Sequence, residues 1–106
     1  MNEELWTESE SEAFRRADQW LQRDEFLRLV KEDPLLNGVR LQDLDLRGVD
    51  LSGVSLVAAK LLRVDLSGAT LRGTDLRGVF LFRVIYDTFT NWPKGFDPKK
   101  EGLKEV

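Results

Sequence analysis

From position 36 to position 81 every fifth residue is leucine: Leu36, Leu41, Leu46, Leu51, Leu56, Leu61, Leu66, Leu71, Leu76 and Leu81, with Tyr86 next in the same frame. Two places before each stands a mostly small or apolar residue, from Pro34 and Val39 through Ala59, Val64 and Ala69 to Val79 and Val84. No straight element accommodates this. Five residues of α-helix advance about 140° beyond a full turn, so the leucines would spiral around the axis. In a flat strand an odd step sends successive leucines to opposite faces. Residues two apart do share a strand face, so a pair such as Val64 and Leu66 points inward together. The leucines all stay inside only if the chain turns a corner after each pentad. Four corners close a square, and twenty residues make one coil. The pattern predicts a square, mainly β solenoid with the leucine column as its core.

The strings LDLRG VDLSG at 44–53 and VDLSG ATLRG TDLRG at 64–78 resemble those of the pentapeptide-repeat family. The family's unit is a small residue, Asp or Asn, Leu or Phe, a polar residue, then a variable one that is often Gly. The resemblance runs from Pro34 to Thr88, and the tail around Asn91, Trp92, Pro93, Gly95 and Phe96 is similar to the segment that often follows the last coil. It implies a right-handed quadrilateral β-helix. Eleven pentads at four per coil make a little under three coils. It implies function less directly, because one scaffold serves unrelated tasks. Some members resemble duplex DNA in shape and charge and inhibit or protect DNA gyrase, a role that needs a long rod with a continuous acidic surface.

Three parts follow, together one structural domain. Residues 1–33 read as a helical cap or arm. Thr7 with Glu10 and Ser9 with Glu12 fit capping boxes, and Phe14, Ala17, Trp20 and Leu21 form one apolar stripe. Phe26, Leu27 and Val30 fall on another side, so either Asp24 caps a second short helix or one helix kinks near 22–25. Residues 34–88 are the solenoid, begun by Pro34. Residues 89–106 carry Phe89, Trp92, Phe96 and Leu103 as a C-terminal aromatic cap. Both ends of a short stack expose unpaired backbone and apolar side chains, so capping by the termini is the plain expectation. The N-terminal helices could instead swap to a second chain or bind a partner.

Stacking residues twenty apart lays out the outer surface. Most outward columns are polar, such as Asp45 on Asp65, or Asp50 and Ser52 beside Thr70 and Arg72. One face departs from this: Leu62 stacks under Phe82, Phe80 lies across the same strand, and Lys60, Arg63 and Arg83 surround them. Val57 is the apolar residue on the neighbouring face. An exposed apolar cluster rimmed by arginine has the composition of a protein contact. Val57, Leu62, Arg63, Phe80, Phe82 and Arg83 are therefore the candidate contact surface, covered by the chain's own termini, by an identical chain or by another protein.

Charge and composition narrow the function further. Residues 1–33 hold ten acids and five bases, whereas 34–88 hold six acids and seven bases. The mixed solenoid surface neither attracts nor imitates a polyanion, which disfavours gyrase-directed mimicry and nucleic-acid binding. There is no cysteine and no histidine among the 106 residues, so the usual nucleophile, general base and metal ligands are missing. The recurring aspartates are turn residues, and the corner glycines are not a phosphate loop. No enzyme activity, cofactor, metal or small-molecule substrate is expected. The start is acidic, unlike a signal peptide, and no apolar run approaches the roughly twenty residues that span a bilayer. The expectation is a bacterial, cytoplasmic, non-enzymatic interaction module or scaffold, possible as a homodimer.

Overall fold

The structure, a computed structural model, describes residues 20–106. The capping boxes at Thr7 and Ser9 and the stripe positions Phe14 and Ala17 lie outside the described residues. The element order is β1 (Trp20–Leu21), α1 (Arg23–Glu32), β2 (Arg40–Gln42), β3 (Lys60–Leu62), β4 (Phe80–Phe82), β5 (Ile85–Tyr86) and β6 (Lys104–Glu105).

Strands β1 to β4 stack in chain order as one parallel sheet. Leu21 pairs with Leu41, Leu41 with Leu61 and Leu61 with Leu81, so each step is twenty residues. Three further parallel ladders run beside it: Leu35–Ser55–Asp75, Asp45–Asp65–Ile85 and Asp50–Thr70–Asn91. Parallel pairing requires a long connection, and here the rest of the coil is that connection. This is a β-helix-type solenoid. Leu46 N–H donates to Asp65 O at 2.9 Å in the next coil, while Asp65 N–H donates back to Leu44 O at 3.0 Å. The corners need left-handed backbone: Gly48 and Gly68 stack with φ of 70° and 69°.

The leucine column is the core. Leu36 through Leu71 are buried at every fifth position, as is Tyr86. Leu76 and Leu81 are only half-buried, at the end of the stack. Thr74 stands in the small-residue column and stays buried because its hydroxyl donates to Leu51 O at 2.7 Å.

The N-terminal side differs from the helical reading in two places. Trp20 and Leu21 form a strand on β2 rather than a helical stripe, because Leu21 continues the Leu41–Leu61 column by one coil. Asp24 is not a helix cap: α1 starts after Gln22, whose side chain makes no cap bond, and Asp24 lies in the first turn. The helix buries Phe26 and Leu29, with Leu27 and Val30 packed beside them, and so covers the first coil. At its end Asp33 accepts from Leu35 N–H at 2.9 Å, turning the chain into the first pentad.

On the C-terminal side, Trp92 and Phe96 pack on the core and Leu103 is buried, whereas Phe89 is 76% exposed and caps nothing. Trp92 meets Tyr86 edge-on at 5.5 Å and stacks on Phe96 at 4.9 Å. The tail supplies a rung on two ladders. Lys104 pairs with Ile85 and Glu105 with Tyr86, and Asn91 pairs with Thr70.

Candidate contact surface

Strand β4 carries the outward cluster. Lys60 pairs with Phe80 and Leu62 with Phe82, while Leu61 and Leu81 point between them into the core. Phe80 is 56% exposed and Phe82 45% exposed, and Leu62 is half-buried beneath Phe82. The guanidinium of Arg83 lies 5.4 Å from the centre of the Phe82 ring. Val57 does not join this face. It stands on the Ser55–Asp75 ladder, half-buried, where the register puts Arg77 over it.

Arg63 and Arg83 differ although they occupy the same corner. Asp43, Arg63 and Arg83 follow β2, β3 and β4 with φ of 56°, 53° and 55°. Arg63 reaches back one coil and grips the Asp43 carboxylate at 2.6 and 3.0 Å. That bond holds the Asp43 carboxyl below its ordinary range. Arg83 has no acid partner among the described residues.

Two other faces carry arginine–aspartate pairs. Arg47 bonds Asp45 at 2.7 and 2.8 Å, and Arg77 bonds Asp75 at 2.7 Å. Each aspartate also accepts from the backbone N–H two residues on, at 3.1 Å in both cases. The Arg47 contact lowers Asp45 to about 2, and Arg77 likewise lowers Asp75. These carboxylates are turn and ladder residues, and among the described residues no group of His, Cys, Asp or Glu could hold a metal ion. No helix among the described residues is long and apolar enough to cross a membrane.

A family model for pentapeptide repeats matches residues 40–78 in eight copies. Over these residues the chain carries pentapeptide repeats. Similar solved structures are a pentapeptide-repeat protein from Nostoc Pcc 7120, 23% identical over 76% of this chain and 93% of that one with a TM-score of 0.37, and one from the cyanobacterium Cyanothece 51142, 28% identical over 55% of this chain and 46% of that one with a TM-score of 0.32. No curated protein matches the chain.

The pentapeptide-repeat segment also ends in a feature that sequence reasoning missed. A cleft of about 800 Å³ separates the last pentads, at Thr74 to Val79, from the tail at Pro93 to Phe96 and Glu101. Its apolar lining is Leu76, Val79, Pro93 and Phe96, with Asp75, Arg77, Lys94 and Glu101 as charged neighbours. A signal was present: the five-residue frame carries Phe96 and Glu101 where the rungs above Leu76 and Leu81 would need leucine.

Proposed function

We propose that this pentapeptide-repeat chain is a non-enzymatic protein–protein interaction module that presents β4 and its surroundings to another polypeptide. We further read its solenoid as a right-handed quadrilateral β-helix, with a little under three coils of repeats. The observation that carries the functional reading is the exposure of Phe80 and Phe82 together on the last strand of the stack, with Arg83 beside them. Two large aromatic side chains flanked by arginine have the make-up of an interface centre. The pairing of Asp43, Asp45 and Asp75 with arginine supports this reading over polyanion mimicry, since these carboxylates are matched within the chain.

The test is the double variant Phe80→Ser with Phe82→Ser. Both side chains point outward, so the circular dichroism spectrum should match wild type. Crosslinking in the host, followed by pull-down and mass measurement by light scattering, should lose the adduct seen with the wild-type chain. A folded variant that keeps its mass and every adduct would remove the face from consideration.

A further inference from the structure

The stack is closed at its C-terminal end on two ladders and open on the other two. The tail pairs above β5 and above Thr70, but nothing among the described residues pairs above β4 or above Asp75. The backbone shows the same gap. Lys60 and Phe80 N–H donate to Val39 O and Ala59 O at 2.9 and 2.8 Å, but the equivalent Val79 O accepts from no described residue. Asp43 and Arg63 N–H donate to Leu62 O and Phe82 O at 2.9 and 2.8 Å, but Arg83 N–H has no acceptor among the described residues. Leu76 and Gly78 N–H have no partner among them either, whereas Leu56 and Ala58 one coil earlier donate to Asp75 O and Arg77 O at 2.8 and 2.9 Å.

We propose that the β4 edge is a strand-addition site for an extended peptide of another protein, carrying apolar–Leu–apolar–Asp in parallel register over Phe80, Leu81, Phe82 and Arg83. The inference rests on the contact-surface reading and names its occupant. The chain itself supplies the template. On β2, Leu41 stacks on Leu61 and the following corner puts Asp43 on Arg63, with the carboxylate bonded at 2.6 Å. A rung of the same form on β4 covers half-buried Leu81 and sets a carboxylate beside Arg83 at the corner where Asp43 pairs with Arg63, with the order of the two charges reversed along the stack. Aspartate suits that corner because it tolerates left-handed backbone. Outward positions over Phe80 and Phe82 favour apolar, β-branched residues across the ladder. The tail shows that a rung need not come from a repeat: Ile85 pairs with Lys104 at a spacing of nineteen, out of the pentad frame. The proposed rung continues that interface on the adjacent face.

A second copy is the weaker occupant. The open strip from Leu76 to Arg83 is about 26 Å long at the strand rise and one strand spacing wide, roughly 130 Å². A stable dimer usually buries about 800 Å² per partner. Main-chain bonding along an edge suits a short peptide instead.

The probe is a fluorescein-labelled peptide, acetyl-Thr-Val-Leu-Val-Asp-Gly-amide, titrated into the full chain and read by fluorescence polarisation. Two control peptides carry Lys in place of Asp, or an N-methyl group on the Val over Phe80, whose N–H is aimed at Val79 O. Saturable binding is expected, weakened at least about tenfold in either control. The Arg83→Asp chain, which copies Asp43 at the same corner, should prefer the Lys peptide. Absence of saturable binding to the wild-type chain overturns the proposal. So does a dimer that excludes the peptide and becomes monomeric with Phe82→Ser, because a second copy then occupies the edge. If all three peptides bind alike and Phe80→Ser with Phe82→Ser abolishes binding, strand addition falls while the contact surface stands. If that double variant keeps its partner adducts, the contact surface itself falls.

Discussion

One aspartate before the leucine serves several pentads in the same way: its carboxylate accepts the N–H two residues on, as at Asp45, Asp50, Asp65 and Asp75, and Asp87, which follows Tyr86, makes the same bond. Hydrogen bonding to the ionised form lowers a carboxyl's pKa. Asp45, held by Arg47, falls from 3.8 to about 2. Arg63 lowers Asp43, Ser52 lowers Asp50 and Arg77 lowers Asp75. At Asp87, burial acts upward and is the largest single influence, but hydrogen bonds from Gly68, Phe89 and Thr90 together outweigh it. A carboxyl depressed on folding contributes stability above its unfolded value, and that stability is lost as pH falls through the folded value. The melting temperature should therefore drop as pH falls from about 3.8 toward 2, and Asp45→Asn should flatten the drop in a pH-resolved thermal melt. A second prediction concerns Ala58, which holds φ of 60° at a corner where Gly78 stacks on it. Left-handed backbone costs a non-glycine residue about 1–2 kcal/mol, against roughly 0.4–1 kcal/mol of added unfolded-state freedom for glycine. Ala58→Gly should stabilise the chain by up to about 1 kcal/mol in urea unfolding, and Gly68→Ala should destabilise it. The Gly68 change acts through φ, since the added Cβ meets Gly48 backbone at an ordinary 3.8 Å.

The helix is the element that closes the first coil, and it does so with residues in the solenoid's own frame. Counting back in fives from Leu36 reaches Lys31, then Phe26 and Leu21, and the last two are buried at 0% and 2% exposure. Phe26→Ala should cost about 3–5 kcal/mol by urea unfolding, the range for a buried aromatic, whereas Leu35→Ala, at 67% exposure, should cost little. Loss of stability at Leu35 equal to that at Phe26 would place the helix on the wrong face. This frame explains what was legible in the sequence and what was not. The leucine column, the corner glycines and the outward position of Phe80 and Phe82 all follow from strict five-residue spacing. Lys31 breaks the frame, and within α1 the 3.6-residue period buries Leu29 as well. Trp20 and Leu21 thus satisfy a helical spacing with Ala17 and a coil spacing with Arg40 and Leu41, and tertiary pairing selects the strand. Phe89 was legible only as an aromatic in the tail. The tail's pairing offsets of nineteen and twenty-one leave the frame, so no periodicity assigns its faces.

As a whole the described molecule is a solenoid closed at its first coil by a helix and half-closed at its last by an aromatic tail. The half that stays open coincides with the face bearing Phe80, Phe82 and Arg83, which joins the architecture to the proposed function. Solenoids cover their ends because each unit buries its apolar face only against a neighbour. Leu76 and Leu81 are half-buried because no described residue supplies that neighbour. Residue-resolved amide hydrogen exchange on the monomeric chain tests this most directly. Leu46, Gly48, Leu66 and Leu71 N–H, each bonded to the next coil or the tail at 2.7–3.0 Å, should be protected. Leu76, Gly78 and Arg83 N–H, one coil on from the paired N–H groups of Leu56, Ala58 and Arg63, should exchange at near-unprotected rates. Protection of the first set with fast exchange of the second is the predicted result. Equal protection of both sets in the monomer would contradict an open edge, and fast exchange throughout would contradict the solenoid.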